Sequence, residues 1–474
     1  MLRPWRLVLG CGLLATSWLP AGSGSGQGAT RASDWLRFGW DVGRSSAPTT
    51  PTGITSANLA SLTRQQVTLD GTVDASAIYL HGVTVGGHAR DAFFVTTTYG
   101  KTLAIDANDG TVLWRYTPRD YASWVGSYRI TTATPVAEPT REYVYAAAPD
   151  GEIRKLAVAD GHAVWSTAVT RLPRREKIAS ALNYFRGRVI ATTGGYIGDR
   201  SPYQGHVAIL DGASGALLHV WNSLCSERRS LIDPASCEES GSAIWGRAGA
   251  VIDSASGDIF VATGNGRWDG HVNWGDAAVE LDPDATHVIG NYTPSNTEAL
   301  DASDADLGST SPVLLGRDLV AQGGKDGRVR LLDWRRMKGA VPHRGGEQQV
   351  LSTPSADDLF SAPAVLRDGT TTWLVMADGG ATAAWVWADG QLRLQWRSGT
   401  AGTSPVVADG LVFVYDPRGG LLAYDARTGR EVGKLECGSG HWNSPIVVDG
   451  RIALPEGNAN DHRESGVLDI WRLP

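Results

Sequence analysis

Five side chains of chemically useful type fall between residues 240 and 330 of this 474-residue sequence. They are Trp245 in Ile244-Trp245-Gly246, Asn265 in Gly264-Asn265-Gly266, Asp304 and Asp306 in Ser303-Asp304-Ala305-Asp306, and Lys325 in Lys325-Asp326-Gly327. An indole offers a flat face for stacking. Carboxylate and amide oxygens are the ligands a hard cation takes, a carboxylate can accept a proton, and an ammonium pairs with an anionic oxygen. Each residue also has a plainer reading: a packing tryptophan, a tight Gly-Asn-Gly turn, a solvated acidic loop and a hairpin turn. A second polar constellation lies near the C-terminus, His441-Trp442-Asn443 with Glu456-Gly457-Asn458-Ala459-Asn460-Asp461-His462. It could line a polar mouth or hold an ion, but its spacing fits no metal motif, and loop chemistry is its simpler reading.

The elements that must position these residues are legible as a repeat. A strand-opening tripeptide of Ser/Thr/Ala, Pro/Ala and a small or aliphatic residue recurs eight times, centred on Ala77, Pro135, Ala181, Ala243, Pro312, Pro363, Pro405 and Pro445. Successive centres lie 58, 46, 62, 69, 51, 42 and 40 residues apart, the shortest close to a bare propeller blade of about 40–50 residues. Apolar runs joined by glycine turns follow each opening, as in Phe93-Phe94-Val95, Tyr99-Gly100-Lys101, Leu103-Ala104-Ile105-Asp106 and Asn108-Asp109-Gly110. Such runs predict antiparallel hairpins, and no stretch has a helical period of useful length. A pattern Ala-x-Asp-x-x-x-Gly-x-x-x-Trp marks the turn into the last strand: Ala104 to Trp114, Ala208 to Trp221, and Ala423 to Gly429, with weaker copies ending at Trp165 and Trp396. The expectation is an all-β chain, an eight-bladed β-propeller of four-stranded blades. The segment from Asp34 to Leu69 and the run Gly466-Val467-Leu468-Asp469-Ile470-Trp471 are its natural closing pair.

This repeat resembles the tryptophan-docking repeat of pyrroloquinoline-quinone propellers, and the chain is similar to the quinoprotein alcohol dehydrogenases from about Asp34 onward. Asp34-Trp35-x-x-Phe38-Gly39-x-Asp41, with Ile54 and Asn58-Leu59, resembles their N-terminal signature. The resemblance implies that Trp245 is the floor on which the quinone stacks and that Lys325 touches a quinone oxygen. It further implies that Asn265, Asp304 and Asp306 bind calcium or a lanthanide, with Asp304 also the catalytic base. Implied with them are an alcohol or aldehyde substrate and a separate electron acceptor. Tyr196, in Gly194-Gly195-Tyr196-Ile197-Gly198, stands where the resemblance implies a metal-binding glutamate, and Ser303 where it implies a tryptophan. The sequence holds no adjacent cysteine pair to cover the quinone. The repeat is also similar to the non-catalytic propeller lipoprotein of outer-membrane protein assembly, which implies, as the alternative, a scaffold with envelope-protein partners.

Composition limits the alternatives. Eighteen tryptophans and 58 glycines against three methionines suit one tryptophan and several turns per blade, and a net charge of −7 argues against a nucleic-acid partner. Arg3 and Arg6 followed by the apolar run Leu7 to Leu19 and by Pro20-Ala21-Gly22-Ser23-Gly24 read as a secretory signal, so the expected organisation is residues 1–29 as signal and 30–474 as propeller. Export places the protein in the periplasm or outside the cell. The apolar run is too short for a transmembrane helix, and Cys11 follows Arg6 too closely for a typical lipoprotein signal. Cys225 and Cys237 are expected to form a disulfide in an oxidising compartment, leaving Cys437 as a buried thiol.

Overall fold

Alternating runs interrupted by turn residues pair locally, and in this computed structural model, which describes residues 33–474, they build eight four-stranded antiparallel sheets. The signal sequence and Cys11 lie outside the described residues. Seven sheets take their strands in chain order, beginning with innermost strands at Ile78, Val136, Asn183, Val251, Val313, Ala364 and Val406. The eighth runs Ile446–Val448, Arg451–Glu456 and Gly466–Arg472, and is completed by Thr63–Leu69 from the other end of the chain, in a register from Thr63↔Arg472 to Leu69↔Gly466. Thus only Thr63–Leu69 of the expected closing segment joins the last blade. The eighth opening tripeptide leads into its strand like the others, but Ser242-Ala243-Ile244 does not. The fourth blade opens at Gly249-Ala250-Val251, and Ala243 and Ile244 instead bond to the backbone of Gly264 and Thr193. One short α-helix, Thr297–Ala302, precedes the fifth blade, and among the described residues no helix is long and apolar enough to cross a membrane.

The repeated pattern works as a plug and socket between blades. The aspartate at its start accepts a turn N–H: Asp106 from Asn108 at 2.8 Å, Asp211 from Ser214 at 2.7 Å, and Asp425 from Thr428 at 2.9 Å. The glycine closing the turn offers a bare face to the tryptophan of the preceding blade, Gly161 to Trp114, Gly215 to Trp165 and Gly429 to Trp396. The indole N–H then donates to that turn's backbone, as Trp114 does to Val158 O and Trp396 to Ala426 O, at 2.8 and 2.9 Å. The hydroxyls around the strand openings stitch the inner ring. Thr132 donates to Ala179 O, Thr310 to Ser361 O, Thr403 to Asn443 O and Ser76 to Ser444 O.

The segment before the closing strand crosses the ring. Trp35 exchanges two backbone bonds with Tyr79 of the first blade, Leu36 O accepts from Ala137 of the second, and Arg37 donates to Asn183 of the third. Val42, Ser45, Ser46 and Thr52 accept from Ile252, Val365, Val407 and Gly450 of the fourth, sixth, seventh and eighth blades. Phe38 belongs to the same buried apolar cluster as Val320 and Leu332 of the fifth. Most of these donors are the second residues of the innermost strands, so the strap is bonded to the inner edges of the blades.

Two measurements test this packing. At Gly161 (φ +76°) an added Cβ would lie 2.5 Å from the Trp114 ring, whereas at Gly86 (φ +59°) it would meet nothing within 4 Å. Gly161→Ala is expected to cost about 2–4 kcal/mol in denaturant unfolding and Gly86→Ala about 1 kcal/mol. In the closing blade Arg64 bonds Asp469 at 2.8 and 2.9 Å and Glu456 at 3.2 Å. Burial, and then the hydrogen bond to Asp469, push the Glu456 carboxyl up to about 7 from the usual 4.5. The folded state therefore keeps a proton that the unfolded chain has lost between those values. That contribution is fully present below about pH 4.5 and is lost as pH rises through about 7. The melting temperature is expected to fall across this window in the wild type and to fall less in Glu456→Gln.

Candidate functional site

The connections that enter each blade and those between its second and third strands emerge on one face, around the axis. There they enclose a cavity of about 690 Å3. Entry connections bring Asp74, Lys177, Trp245, Asp304 and Asp306, Phe360 and Trp442. The second-to-third connections bring Asp199, Asn265 and Lys325. All five of the side chains singled out between residues 240 and 330 line this one cavity.

On one wall, carboxylates, an amide and an ammonium form a connected group. Asn265 donates its backbone N–H to Asp306 Oδ1 at 2.7 Å and its Nδ2 to Asp304 Oδ1 at 2.8 Å. Lys325 Nζ lies 2.6 Å from Asp306 Oδ2 and 3.2 Å from Asp304 Oδ1, and donates to Asp304 O at 2.9 Å. Asp306 is buried and Asp304 exposed, so the acidic loop is not uniformly solvated. Burial raises the Asp306 carboxyl above the usual range, opposed by Lys325. Although burial alone would lower it, Lys325 is held above the ordinary lysine value by Asp306 and Asp304. Behind the turn, Asp276 Oδ1 accepts from Leu307 N–H at 2.9 Å while its buried Oδ2 has no partner, and burial pushes this carboxyl up to about 8.

The donor set fits a hard cation. Asn265 Oδ1 is buried and accepts no hydrogen bond, while its amide nitrogen is committed to Asp304. The oxygen is left with free lone pairs on a residue whose two nitrogens contact two carboxylates, and amide and carboxylate oxygens are the ligands calcium and lanthanide ions take. Tyr196 does not join this set. Its ring is buried edge-on to Tyr128 and its hydroxyl donates to Pro173 O at 3.0 Å, so burial pushes the phenol well above its usual range. Three residues on, the carboxylate of Asp199 enters the same cavity. It is raised by burial and then by the negative charges of Asp306 and Asp304, which puts a further carboxylate beside the pair.

The floor is aromatic. Trp245 lies 5.9 Å from both Phe360 and Trp442, Phe360 stacks on Trp442 at 6.3 Å, and His441 stacks on Trp442 at 4.3 Å. Lys325 Nζ stands 5.7 Å over Trp245. Trp245 is therefore a cavity residue rather than another interblade plug. Opposite the acidic wall, Arg247 is buried with its guanidinium spread over four carbonyls, those of Asp74, Thr132, Ala179 and Trp442, at 3.2–3.5 Å. Asp74 accepts from His441 Nδ1 at 2.7 Å and from the backbone N–H groups of Trp442 and Ala459 at 2.8 and 3.0 Å.

The C-terminal constellation divides. His441, Trp442 and Asn460 line the cavity, Glu456 pairs with Arg64 in the closing blade, and His462 Nδ1 lies 3.4 Å from the Tyr99 hydroxyl. It forms no common ion site. The Cys225–Cys237 disulfide forms and braces the loop leading to Trp245. Cys437 is half-buried rather than buried, and desolvation pushes its thiol up to about 12. Lys177, Asp199, Arg247 and Phe360 belong to no sequence motif. Only Asp199, in the same glycine-rich loop as Tyr196, carries a signal, as a second oxygen donor near the position where a glutamate is implied.

A family model described as outer membrane protein assembly factor BamB matches residues 60–341, 269–435 and 366–461. A polyvinylalcohol dehydrogenase from Pseudomonas sp is 24% identical over 276 residues, 51% of this chain and 42% of the relative. The chain thus spans less than half the length of that curated relative. Among solved structures, the quinohemoprotein alcohol dehydrogenase from Comamonas testosteroni superposes with a TM-score of 0.68 at 18% identity, over 94% of this chain and 81% of that one. A europium-containing methanol dehydrogenase gives 0.68 at 14% identity, over 93% and 98%. At these identities the structural likeness establishes a quinoprotein-type propeller fold.

The cavity floor is also a structural joint. Arg247→Met would strand four buried carbonyls and remove a positive charge that acts on Asp74, and is expected to cost about 3–5 kcal/mol in urea denaturation.

Proposed function

The chain belongs to the propeller family described as outer membrane protein assembly factor BamB, and within it we propose an exported dehydrogenase that oxidises an alcohol or aldehyde with pyrroloquinoline quinone. The observation that carries this reading is the convergence of Trp245, Asn265, Asp304, Asp306 and Lys325 on one axial cavity. Curated relatives are named polyvinylalcohol dehydrogenases, which makes a secondary alcohol the first substrate to try.

Trp245 supplies the stacking face for the flat quinone. Asn265 Oδ1, Asp304 and Asp306 would hold calcium or a lanthanide, with Asp199 as the further carboxylate that Tyr196 does not provide. Pyrroloquinoline quinone held there would supply a two-electron acceptor for the hydride equivalent of the carbinol carbon. Asp304, exposed at the mouth, takes the hydroxyl proton. Lys325 limits repulsion between Asp304 and Asp306, to which its N–H groups are directed, and would place a positive charge beside a quinone oxygen. The alcohol loses two electrons and two protons, and a separate electron acceptor carries the electrons away.

The family description supports a second reading, a non-catalytic envelope scaffold. Exposed Ile197 and Tyr128 at the rim suit a protein partner.

Calorimetric titration with pyrroloquinoline quinone, in calcium, in lanthanum and without metal, separates the two. Saturable binding is expected, weakened about tenfold or more by Trp245→Ala. Asp304→Ala is expected to lower dye-linked alcohol oxidation roughly 100- to 10,000-fold. A folded sample that binds no quinone under any metal condition leaves the scaffold reading.

A further inference from the structure

Lys177 differs from the other cations of the axial cavity. It lies in the short strand Glu176–Lys177, paired with Gly194–Gly195, which fixes its backbone, and it is 8% exposed. Its side chain nevertheless lines the cavity, with Nζ 5.9 Å from the centre of the Trp442 ring. No hydrogen bond or ion pair with another described residue engages that ammonium. The neighbouring charges are already committed. Asp74 is saturated by His441 and two backbone N–H groups, Arg247 is spent on carbonyls, and Lys325 is held by Asp304 and Asp306. Burial lowers Lys177 to about 8, with Asp74 opposing the shift and Arg247 adding to it. The ammonium faces the cavity with no hydrogen-bond acceptor among the described residues and only the charge of Asp74 to offset its desolvation, which leaves a place for an anionic partner from outside the protein.

The surroundings restrict what the missing partner can be. The acidic wall of Asp199, Asp304 and Asp306 repels an anion at the other end of the cavity, and the floor of Trp245, Phe360 and Trp442 takes a flat π-system. A ligand satisfying both lies on the aromatic floor with its negative end toward Lys177 and its neutral or metal-binding end toward Asp306.

We propose that Lys177 is the carboxylate-binding residue of the cavity, pairing with a carboxylate carried by a flat aromatic ligand that rests on Trp245 and Trp442. The inference rests on the proposed cofactor for the ligand's name, not for the role of the lysine.

Tryptophan-fluorescence and calorimetric titrations of the full chain test it with three probes: pyrroloquinoline quinone, its trimethyl ester, and benzene-1,3,5-tricarboxylate. The variants are Lys177→Met, which keeps length and loses charge, and Lys177→Arg, which keeps charge. Lys177→Met is expected to weaken the free acids about 10- to 100-fold and to leave the ester unchanged, while Lys177→Arg stays within about threefold of wild type. Unchanged ester binding and unchanged near-UV circular dichroism show that the floor is intact. Equal affinity of wild type and Lys177→Met for the free acids overturns the proposal, as does an equal loss for acid and ester. If the wild type binds the benzenetricarboxylate through Lys177 but not the quinone, the cofactor reading fails and this one stands. Quinone binding indifferent to Lys177 has the opposite meaning, and binding of none of the probes overturns both.

Discussion

Ring closure is the constraint on which the site depends. The cavity is lined from the first, second, third, fourth, fifth, sixth and eighth blades, and no single blade holds more than a fragment of it. The pairing of Thr63–Leu69 with Gly466–Arg472 ties the start of the chain into the eighth blade, and so helps to hold those fragments together. Each blade keeps a short outermost edge, and in the eighth that edge strand comes from the other end of the chain, so its hydrogen bonds join the two ends of the ring.

The cavity divides its charges. Oxygen donors and Lys325 gather on one side, and Lys177 with the carbonyl-bound Arg247 on the other, over a shared aromatic floor. Polar groups held this way by backbone and by neighbouring blades are already oriented before any ligand arrives, which lowers the cost of binding one. The aromatic floor keeps water from solvating the fixed charges from below, which strengthens their action on a ligand.

Much of this was legible in the sequence because it is local. Asp-to-Gly turns and following tryptophans specify hairpins and their sockets within about a dozen residues, and Trp245, Asn265, Asp304, Asp306 and Lys325 sit at recognisable places within the repeat. Where the signal was only a tripeptide it misled, since Ser242-Ala243-Ile244 has the composition of a strand opening but bridges two blades instead. What stayed hidden is long-range. Nothing around Lys177 says that its chain will face Trp442, 265 residues later. Likewise Tyr196 marks the expected metal position although its ring turns to Pro173 while Asp199 turns in. Burial and direction are properties of the closed ring, not of the segment.

Repeat proteins commonly unravel piecemeal, since each unit contacts only its neighbours. The strap from Trp35 to Thr52 changes that, because one continuous run of backbone is bonded to or packed on blades all around the circle. Loosening any one blade frees part of the strap and so weakens sites on the far side of the axis. The propeller should therefore melt as one cooperative unit, with amide protons of distant inner strands exchanging through the same global opening.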